Sequence, residues 1–275
     1  MVISFEKKFN FVILRLIEVT MKKSFFMAHG APTIYLEDNT FTQKLKQFKH
    51  ENPEITRVVI MSAHFESEIT KVSTALHYET MYDFGGFPKE LYQVKMPTVG
   101  DPALGQQVLD LLKAAGLKAV ETTNRPLDHG AWTLLKLIDP DNTLKVVLMS
   151  VNPFEDPSEL MKIGKALCDL DDQTAFIFSG GLVHNLGWLT FGDQPEPQAQ
   201  RFWTWLNQAI LDKDTEALIN YKKQPDARLA VPRPEHFAGI FSVYGTMEGK
   251  GSVSLLSHQF QYGTLSLDYY AFKND

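Results

Sequence analysis

The sequence is almost free of cysteine. Cys168 is the single cysteine among 275 residues, so a disulfide within the chain is excluded, and so is a zinc site built from thiolates. One unpaired cysteine suits a reducing compartment, and we therefore expect the protein to be cytoplasmic. Any metal site in this chain has to draw on imidazole or carboxylate ligands.

An excess of basic charge is also missing. The chain has 27 lysine and arginine residues against 33 acidic residues, which gives a formal net charge of −6. A basic face supplies most of the affinity of proteins for phosphate backbones. The sequence shows no such stripe, so we do not expect nucleic acid as a partner.

The third absence is a long apolar run. Residues 9–17 (FNFVILRLI) are apolar, but Arg15 interrupts them, and a membrane-spanning helix needs about 20 apolar residues. No small-residue cleavage site follows, as a signal peptide would require. Two interpretations of residues 1–20 stay open: an extension upstream of a functional start at Met21, or a genuine extra strand or helix. We expect no membrane partner.

Sequence motifs of several enzyme classes are absent as well. Neither G-x-G-x-x-G nor G-x-x-x-x-G-K-[ST] occurs, so the usual nucleotide-binding loops are missing. Ser179 precedes two glycines but does not lie in G-x-S-x-G, the pattern of a hydrolase nucleophile elbow.

Histidines at the ends of apolar runs are what the sequence does contain. Residues 25–32 (FFMAHGAP), 58–64 (VVIMSAH) and 176–184 (FIFSGGLVH) each resemble a buried strand that delivers a histidine near its carboxyl end. Ligands of open α/β sheets bind at those ends. Strand-like and helix-like segments alternate along the chain. This alternation predicts one α/β domain over residues 21–275, with a central, largely parallel or mixed sheet flanked by helices.

Five of the eight histidines stand out by their surroundings. His29, His64 and His184 end apolar runs, whereas His129 and His236 lie where loops enter predicted helices, the second helix having Pro234 in its first turn. Neutral imidazole is the commonest metal ligand in proteins, and an all-nitrogen site suits Zn²⁺, Fe²⁺ or Cu²⁺. Spacing alone leaves a metal site and hydrogen-bonded core histidines as alternatives.

Several separated segments, in order, resemble a known family. They are residues 28–32 (AHGAP), 62–66 (SAHFE), 82–88 (YDFGGFP), 128–132 (DHGAW), 182–185 (LVHN) and 234–237 (PEHF). Together they resemble the class III (LigB-like) extradiol ring-cleavage dioxygenases, and most closely the 4,5-DOPA dioxygenase-like branch. The resemblance extends from about residue 23 to about residue 272.

The resemblance implies one divalent metal per chain at the base of a cleft. It places metal ligands at His29, His64 and His184, and it matches His236 to a further site histidine that is a ligand or a close neighbour of one. His129 matches the acid–base histidine beside the substrate, and the adjacent Asp128 is a candidate to orient it.

The activity implied by the resemblance is O₂-dependent opening of the ring of a small, DOPA-like catechol. Fe²⁺ is the metal expected for that activity, and Zn²⁺ is a metal with which the protein can be isolated. A zinc-dependent hydrolase and a metal-binding scaffold without catalysis are the alternatives. Tyr82, Phe84, Phe87 and Trp132 lie in the matching segments and are candidates for an aromatic pocket wall, with core packing as the other role.

Overall fold

The computed structural model describes residues 22–192, 194–247 and 251–274. The two interpretations of residues 1–20 lie outside this range. Within it, an eight-stranded mixed sheet is flanked by helices, which confirms the predicted α/β class. None of the helices in these ranges combines the length and the apolar character needed to cross a bilayer. The ten strands are β1 Lys22–Ala28, β2 Arg57–Glu66, β3 Thr70–Ser73, β4 His77–Tyr78, β5 Thr98–Val99, β6 Ala119–Thr122, β7 Lys145–Val151, β8 Thr174–Gly180, β9 Ser252–Gln261 and β10 Leu265–Asn274.

The strand order explains where the chain can build a site. The large sheet runs β6-β3-β7-β2-β8-β1-β10-β9, and β4 pairs with β5 separately. The central strands β7, β2, β8 and β1 are parallel, whereas β10 and β9 close one edge in antiparallel pairing. The carboxyl ends of β1, β8 and β2 therefore meet at one edge of the sheet, with β8 in the middle.

Alternating side chains on the central strands fill two apolar cores. On β2, Val59 and Met61 belong to one core, and Val58 and Ile60 belong to the other. The helices are α1 Thr40–Lys46, α2 Phe48–Glu51, α3 Pro102–Ala114, α4 His129–Ile138, α5 Pro157–Leu167, α6 Pro197–Leu211, α7 Thr215–Ile219, α8 Ala227–Ala230 and α9 Gly239–Gly245. The first core includes side chains of α3, α5, α6 and α9, and the second includes side chains of α1 and α4.

Aspartates set the starts of the helices that border the sheet. Asp101 caps α3, Asp128 caps α4 and Asp156 caps α5, each by accepting a bond from a backbone N–H of the first turn. Such a cap satisfies a donor that has no partner within the helix and contributes about 1 kcal/mol. The cap at Asp128 fixes His129 as the first residue of α4, four residues before Thr133, where the sequence pattern predicts the start of this helix.

A second boundary prediction near the site is also wrong. The helix predicted to include Pro234 in its first turn begins later, at Gly239, and the preceding residues form turns. The reason lies in a bond between segments: the carbonyl oxygen of His236 accepts from the N–H of Gly181, 2.9 Å away. That bond ties the His236 segment to the end of β8 before the helix begins.

Candidate functional site

Five histidines converge on one cleft at the carboxyl ends of the central strands. His29 follows β1, His64 lies near the end of β2, His184 follows β8, His129 begins α4 and His236 lies in the turns before α9. All five line a cleft of about 410 Å³, which falls within the size range of small-molecule pockets. The structure thus brings together every site histidine predicted from the sequence, while their chemical roles stay predictions. His50, His77 and His258 lie outside the cleft lining.

His29 is held so that a lone pair faces His64. The Ser179 hydroxyl donates to the carbonyl oxygen of Gly130 at 2.6 Å, so its single hydrogen is already used. Ser179 Oγ, 3.0 Å from His29 Nδ1, must therefore accept, and Nδ1 carries the hydrogen. His29 Nε2 then carries a lone pair, and this nitrogen lies 3.1 Å from His64 Nε2. A hydrogen carried by His64 Nε2, or a cation held between the two nitrogens, satisfies this lone pair.

His184 and His236 form the opposite side of the cleft. Their rings are stacked, with centroids 3.6 Å apart and an interplanar angle of 9°. Glu235 Oε1 lies 3.0 Å from His236 Nδ1 and accepts its hydrogen, which leaves His236 Nε2 as the free nitrogen. The His236 ring centroid lies 5.1 Å from that of His29, so the two sides of the cleft face each other.

The end of β8 approaches the His236 segment closely. A Cβ atom built on Gly180 lies 2.3 Å from the carbonyl oxygen of His236, which is backbone and cannot move aside as a side chain could. Glycine at this position therefore allows the bond from Gly181 to His236 to form.

His129 is bound by a carboxylate that sequence reasoning did not single out. Asp83 Oδ1 accepts both the backbone N–H of His129, at 2.9 Å, and the ring Nδ1–H, at 3.0 Å. Asp128, the predicted orienting group, instead caps α4. The signal for Asp83 was its place in the matching segment 82–88, as a carboxylate in a segment expected beside the histidines.

Asp128 belongs to a buried anchor under the histidines. Its fully buried carboxylate accepts from the Ser62 hydroxyl at 2.6 Å, from the Ala131 N–H at 3.1 Å and from the Arg125 guanidinium at 3.1 Å. Arg125 also donates to the backbone carbonyl of His64 at 2.9 Å. A buried carboxylate with three donors is well satisfied, so this anchor fixes the end of β2 relative to the start of α4.

The electrostatics favour the neutral form of four imidazoles, those of His29, His64, His184 and His236. Burial, followed by the neighbouring histidines, lowers the pKa of His29 and of His236 well below the usual value. Burial, followed by the charge of His129, lowers the pKa of His64 to about 4, and burial with the charges of His64 and His129 lowers that of His184 to about 4. Neutral imidazole is the form that binds metals.

Asp83 stays ionised beside these rings. Burial opposes its ionisation, but the hydrogen bonds and charge of His129, together with the charge of His64, outweigh burial and lower the pKa of Asp83 to about 2. Its other oxygen, Oδ2, lies 3.7 Å from His64 Nδ1. The site therefore holds a fixed negative charge next to two imidazoles.

The donor atoms fit a divalent metal. Ring nitrogens of His29, His64 and His129 lie within 4.8 Å of one another, and so do those of His184 and His236 with an oxygen of Glu235. Ring nitrogens that are bound on one side and free on the other are the usual state of metal-ligating histidines. Because no thiolate lies among them, the donor set suits Fe²⁺ or Zn²⁺.

Aromatic side chains form one wall of the cleft. Phe84 and Phe87 line it, and the Phe84 ring meets that of His129 edge-on at 5.7 Å. Trp132 is fully buried behind this wall, with its indole N–H donating to the Met81 carbonyl. Of the predicted aromatic candidates, Phe84 and Phe87 are therefore confirmed as wall residues, whereas Trp132 has the alternative core role.

Comparisons with known proteins agree with this picture. Residues 24–273 match the family model described as the catalytic LigB subunit of aromatic ring-opening dioxygenase. The chain is 32% identical over 262 residues to a 4,5-DOPA dioxygenase extradiol of Beta vulgaris, with 93% of this chain and 98% of that protein covered. It is 29% identical to the protein of the same name from Escherichia coli, covering 90% and 93%.

A solved structure has the same fold. A crystal structure of an uncharacterized protein from Escherichia coli K12 superimposes with a TM-score of 0.77 at 25% identity, covering 91% of this chain and 99% of that one.

Proposed function

This chain belongs to the family of the catalytic LigB subunit of aromatic ring-opening dioxygenases, and from that premise we propose that it opens the ring of a small, DOPA-like catechol with O₂ in the five-histidine cleft. Its relatives and its family make it a non-haem extradiol ring-cleavage dioxygenase. The observation that carries the choice of site is the convergence of five imidazoles from five segments, with Nδ1 of three of them bound elsewhere.

The proposed metal ligands are His29, His64 and His184, with His236 as a fourth ligand or an immediate neighbour. Their lowered pKa values leave neutral nitrogens available in the physiological range. When bound, Fe²⁺ supplies a Lewis acid for the catechol oxygens and the electron density that activates O₂. Zn²⁺ generally binds nitrogen sites more tightly than Fe²⁺ and has no redox chemistry, so it is the expected contaminant.

His129 is the proposed acid–base group. With Nδ1–H bound to Asp83, the free Nε2 is the atom that accepts a proton from a catechol hydroxyl and later returns it. Phe84 lies against the His129 ring and offers an apolar surface to the substrate ring. Oxygen from O₂ is incorporated into the product, a muconic semialdehyde-type acid formed by breaking the ring bond beside one hydroxyl.

The charge of the cleft wall bears on which catechols are accepted. Glu66, Asp83 and Glu235 line the cleft, and no lysine or arginine is among its described lining residues. Arg233 lies close by and pairs with both Glu66 and Glu235. We therefore expect catechols with a neutral or ammonium-bearing side chain to be used better than those whose side chain is a carboxylate alone. The low cysteine content keeps the cytoplasm as the proposed compartment.

Anaerobic reconstitution with Fe²⁺ tests the proposal. O₂ uptake and the absorbance of the ring-opened product are followed with three catechols that differ only in a neutral, an ammonium or a carboxylate side chain. We expect turnover with Fe²⁺ and little with Zn²⁺. Equal ring cleavage by zinc-only protein, or none with any catechol and Fe²⁺, would contradict the proposed reaction. His77→Ala, a histidine outside the cleft, is the matched control.

A further inference from the structure

The loop that carries Asp83 is fixed to the entrance of α4. Met81 donates its N–H to the Leu127 carbonyl at 2.7 Å, and the Trp132 indole donates to the Met81 carbonyl at 3.0 Å. The Tyr82 hydroxyl donates to the Val94 carbonyl at 2.6 Å, which closes the loop at its far end. Asp83 is therefore delivered to His129 by a segment in which the two preceding residues, Met81 and Tyr82, are both hydrogen-bonded.

One oxygen of Asp83 accepts two hydrogen bonds from His129. Oδ1 accepts from the backbone N–H and from ring Nδ1–H, so the same atom fixes the side chain relative to its own main chain. The Asp83 side chain is 19% exposed, so water competes little for these bonds. These two hydrogen bonds together restrict rotation of the imidazole about its first side-chain torsion.

The bond to Asp83 also determines which ring nitrogen of His129 carries the hydrogen. A carboxylate accepts hydrogen bonds and donates none when ionised, so a neutral His129 bound to it must have its hydrogen on Nδ1. The lone pair is then on Nε2. A histidine side chain free in water prefers the opposite form, with its hydrogen on Nε2, and that form has no acceptor at the position where a base is needed.

We propose that Asp83 is a positioning residue that holds His129 in the Nδ1–H form with Nε2 free for proton transfer. This inference rests on the acid–base role proposed for His129. In this role Asp83 acts through the imidazole and does not itself transfer the proton. Its second oxygen lies 3.7 Å from His64 Nδ1, so the same side chain also restricts the face of His64 that points away from His29.

The first test reads the hydrogen position directly. Zinc-loaded, ¹⁵N-histidine-labelled full-length protein is diamagnetic, and NMR distinguishes Nδ1–H, Nε2–H and metal-bound nitrogens. We expect Nδ1–H with an unligated Nε2 for His129 in the wild type, and a shift to Nε2–H in Asp83→Ala. A wild-type His129 already in the Nε2–H form, or one unchanged in Asp83→Ala, overturns the inference without reference to activity.

The second test uses a variant of the same shape. Asp83→Asn keeps an oxygen but loses the charge and admits an amide that can face the ring either way. We expect kcat with Fe²⁺ to fall by about 10- to 100-fold, as for other partners of site histidines, with metal content and KM close to wild type. Asp156→Asn makes the same chemical change at the cap of α5, outside the cleft lining, and is the control. An equal fall of kcat in Asp156→Asn would mean that the loss is not specific to the carboxylate of Asp83.

A double variant separates this inference from the proposed function. If Asp83 acts through His129, Asp83→Asn should cost nothing further in a His129→Ala background, whereas independent effects would multiply. Multiplying effects overturn the inference and leave the His129 role intact. A fully active His129→Ala protein, or an NMR signal from a metal-bound His129 nitrogen, would instead refute the proposed role of His129.

Discussion

Among the described residues, histidine–carboxylate pairs occur both inside and outside the cleft, and one pair of each kind can be compared directly. His129 bonds to Asp83 at 3.0 Å in the cleft, and His258 bonds to Asp268 at 2.7 Å between β9 and β10. Both imidazoles are largely buried, with side chains 10% and 18% exposed. Pairing with a carboxylate therefore does not by itself distinguish a candidate catalytic histidine from a structural one.

What differs is the use made of the remaining polar atoms. Asp268 is fully buried and also accepts from the Trp203 indole at 2.8 Å and from the Ser266 hydroxyl at 2.5 Å. The His258 ring is stacked on Trp203 at 3.5 Å. Among the described residues, His258 belongs to neither group of converging donors, whereas the cleft histidines do. Convergence of nitrogens left free for a ligand, and not burial or pairing, marks the site.

The largest expected effect separates the two regions completely. His29→Ala should reduce bound metal from about one per chain to none and abolish turnover, because it removes a lone pair that faces His64 at 3.1 Å. His258→Ala should keep both. Metal analysis and O₂ uptake after Fe²⁺ reconstitution measure this, with circular dichroism to confirm folding. A folded His29→Ala protein with full metal content would remove His29 from the ligand set.

A smaller effect is expected from His129→Ala. If His129 handles the proton, turnover should fall by about 10²- to 10⁴-fold, or roughly 3–5 kcal/mol of barrier, while metal content and catechol binding stay near wild type. The same substitution at His258 is again the control. Loss of metal from His129→Ala would make His129 a ligand, as its proximity to His29 and His64 allows.

The sequence predicted the parts of the site that depend on local pattern. Apolar runs that stop at a histidine predicted where His29 and His64 leave parallel strands, and parallel strands end at a common edge, so convergence followed. Local pattern also misleads: the alternation of residues 90–95 predicts a strand, whereas the structure has a helical turn, Lys89–Gln93, that follows Pro88 and buries only Leu91.

Contacts between distant segments were out of reach of pattern. Asp83 and His129 are 46 positions apart, and only the folded loop shows that Asp83, and not the adjacent Asp128, holds the ring. The late start of α9 depends on a bond between Gly181 and the His236 carbonyl, which no periodicity in residues 232–238 reports.

The pH dependence of the metal-free protein should sharpen the comparison further. The pKa of His64 is lowered from 6.5 to about 4 in the folded state, so the unfolded chain binds more protons between these values. The free energy of unfolding must then fall as pH drops from about 6.5 to about 4, and His64 alone accounts for about 3 kcal/mol of the loss. Denaturant titrations at several pH values across this range measure the free energy of unfolding. That free energy should change less steeply with pH in His64→Gln than in His258→Gln. Equal slopes would contradict the assignment.

The smallest expected effects come from deleting one side-chain hydrogen-bonding group in each region. Trp203→Phe keeps an aromatic ring but removes a donor to the buried Asp268, so it should cost about 1–3 kcal/mol of stability. It should leave kcat and metal affinity within about twofold, because Asp268 is not a partner of any proposed metal ligand. Ser179→Ala removes the acceptor that holds His29 Nδ1 at 3.0 Å.

Ser179→Ala should lower metal affinity, which Trp203→Phe should leave nearly unchanged. Metal affinity should fall by about 10- to 100-fold, because the His29 ring loses the partner that fixes its hydrogen on Nδ1 and its lone pair on Nε2. Ser179 also donates to the Gly130 carbonyl, so the metal-free protein should lose stability too, by about 1–3 kcal/mol. The loss of metal affinity is what distinguishes Ser179→Ala from Trp203→Phe. Competition with a zinc chelator measures the affinity, and thermal melting with the metal removed measures the stability. If both variants changed stability and left metal affinity alone, the Ser179–His29 bond would be structural like the bonds of Asp268, and the distinction between the two regions would fail at His29.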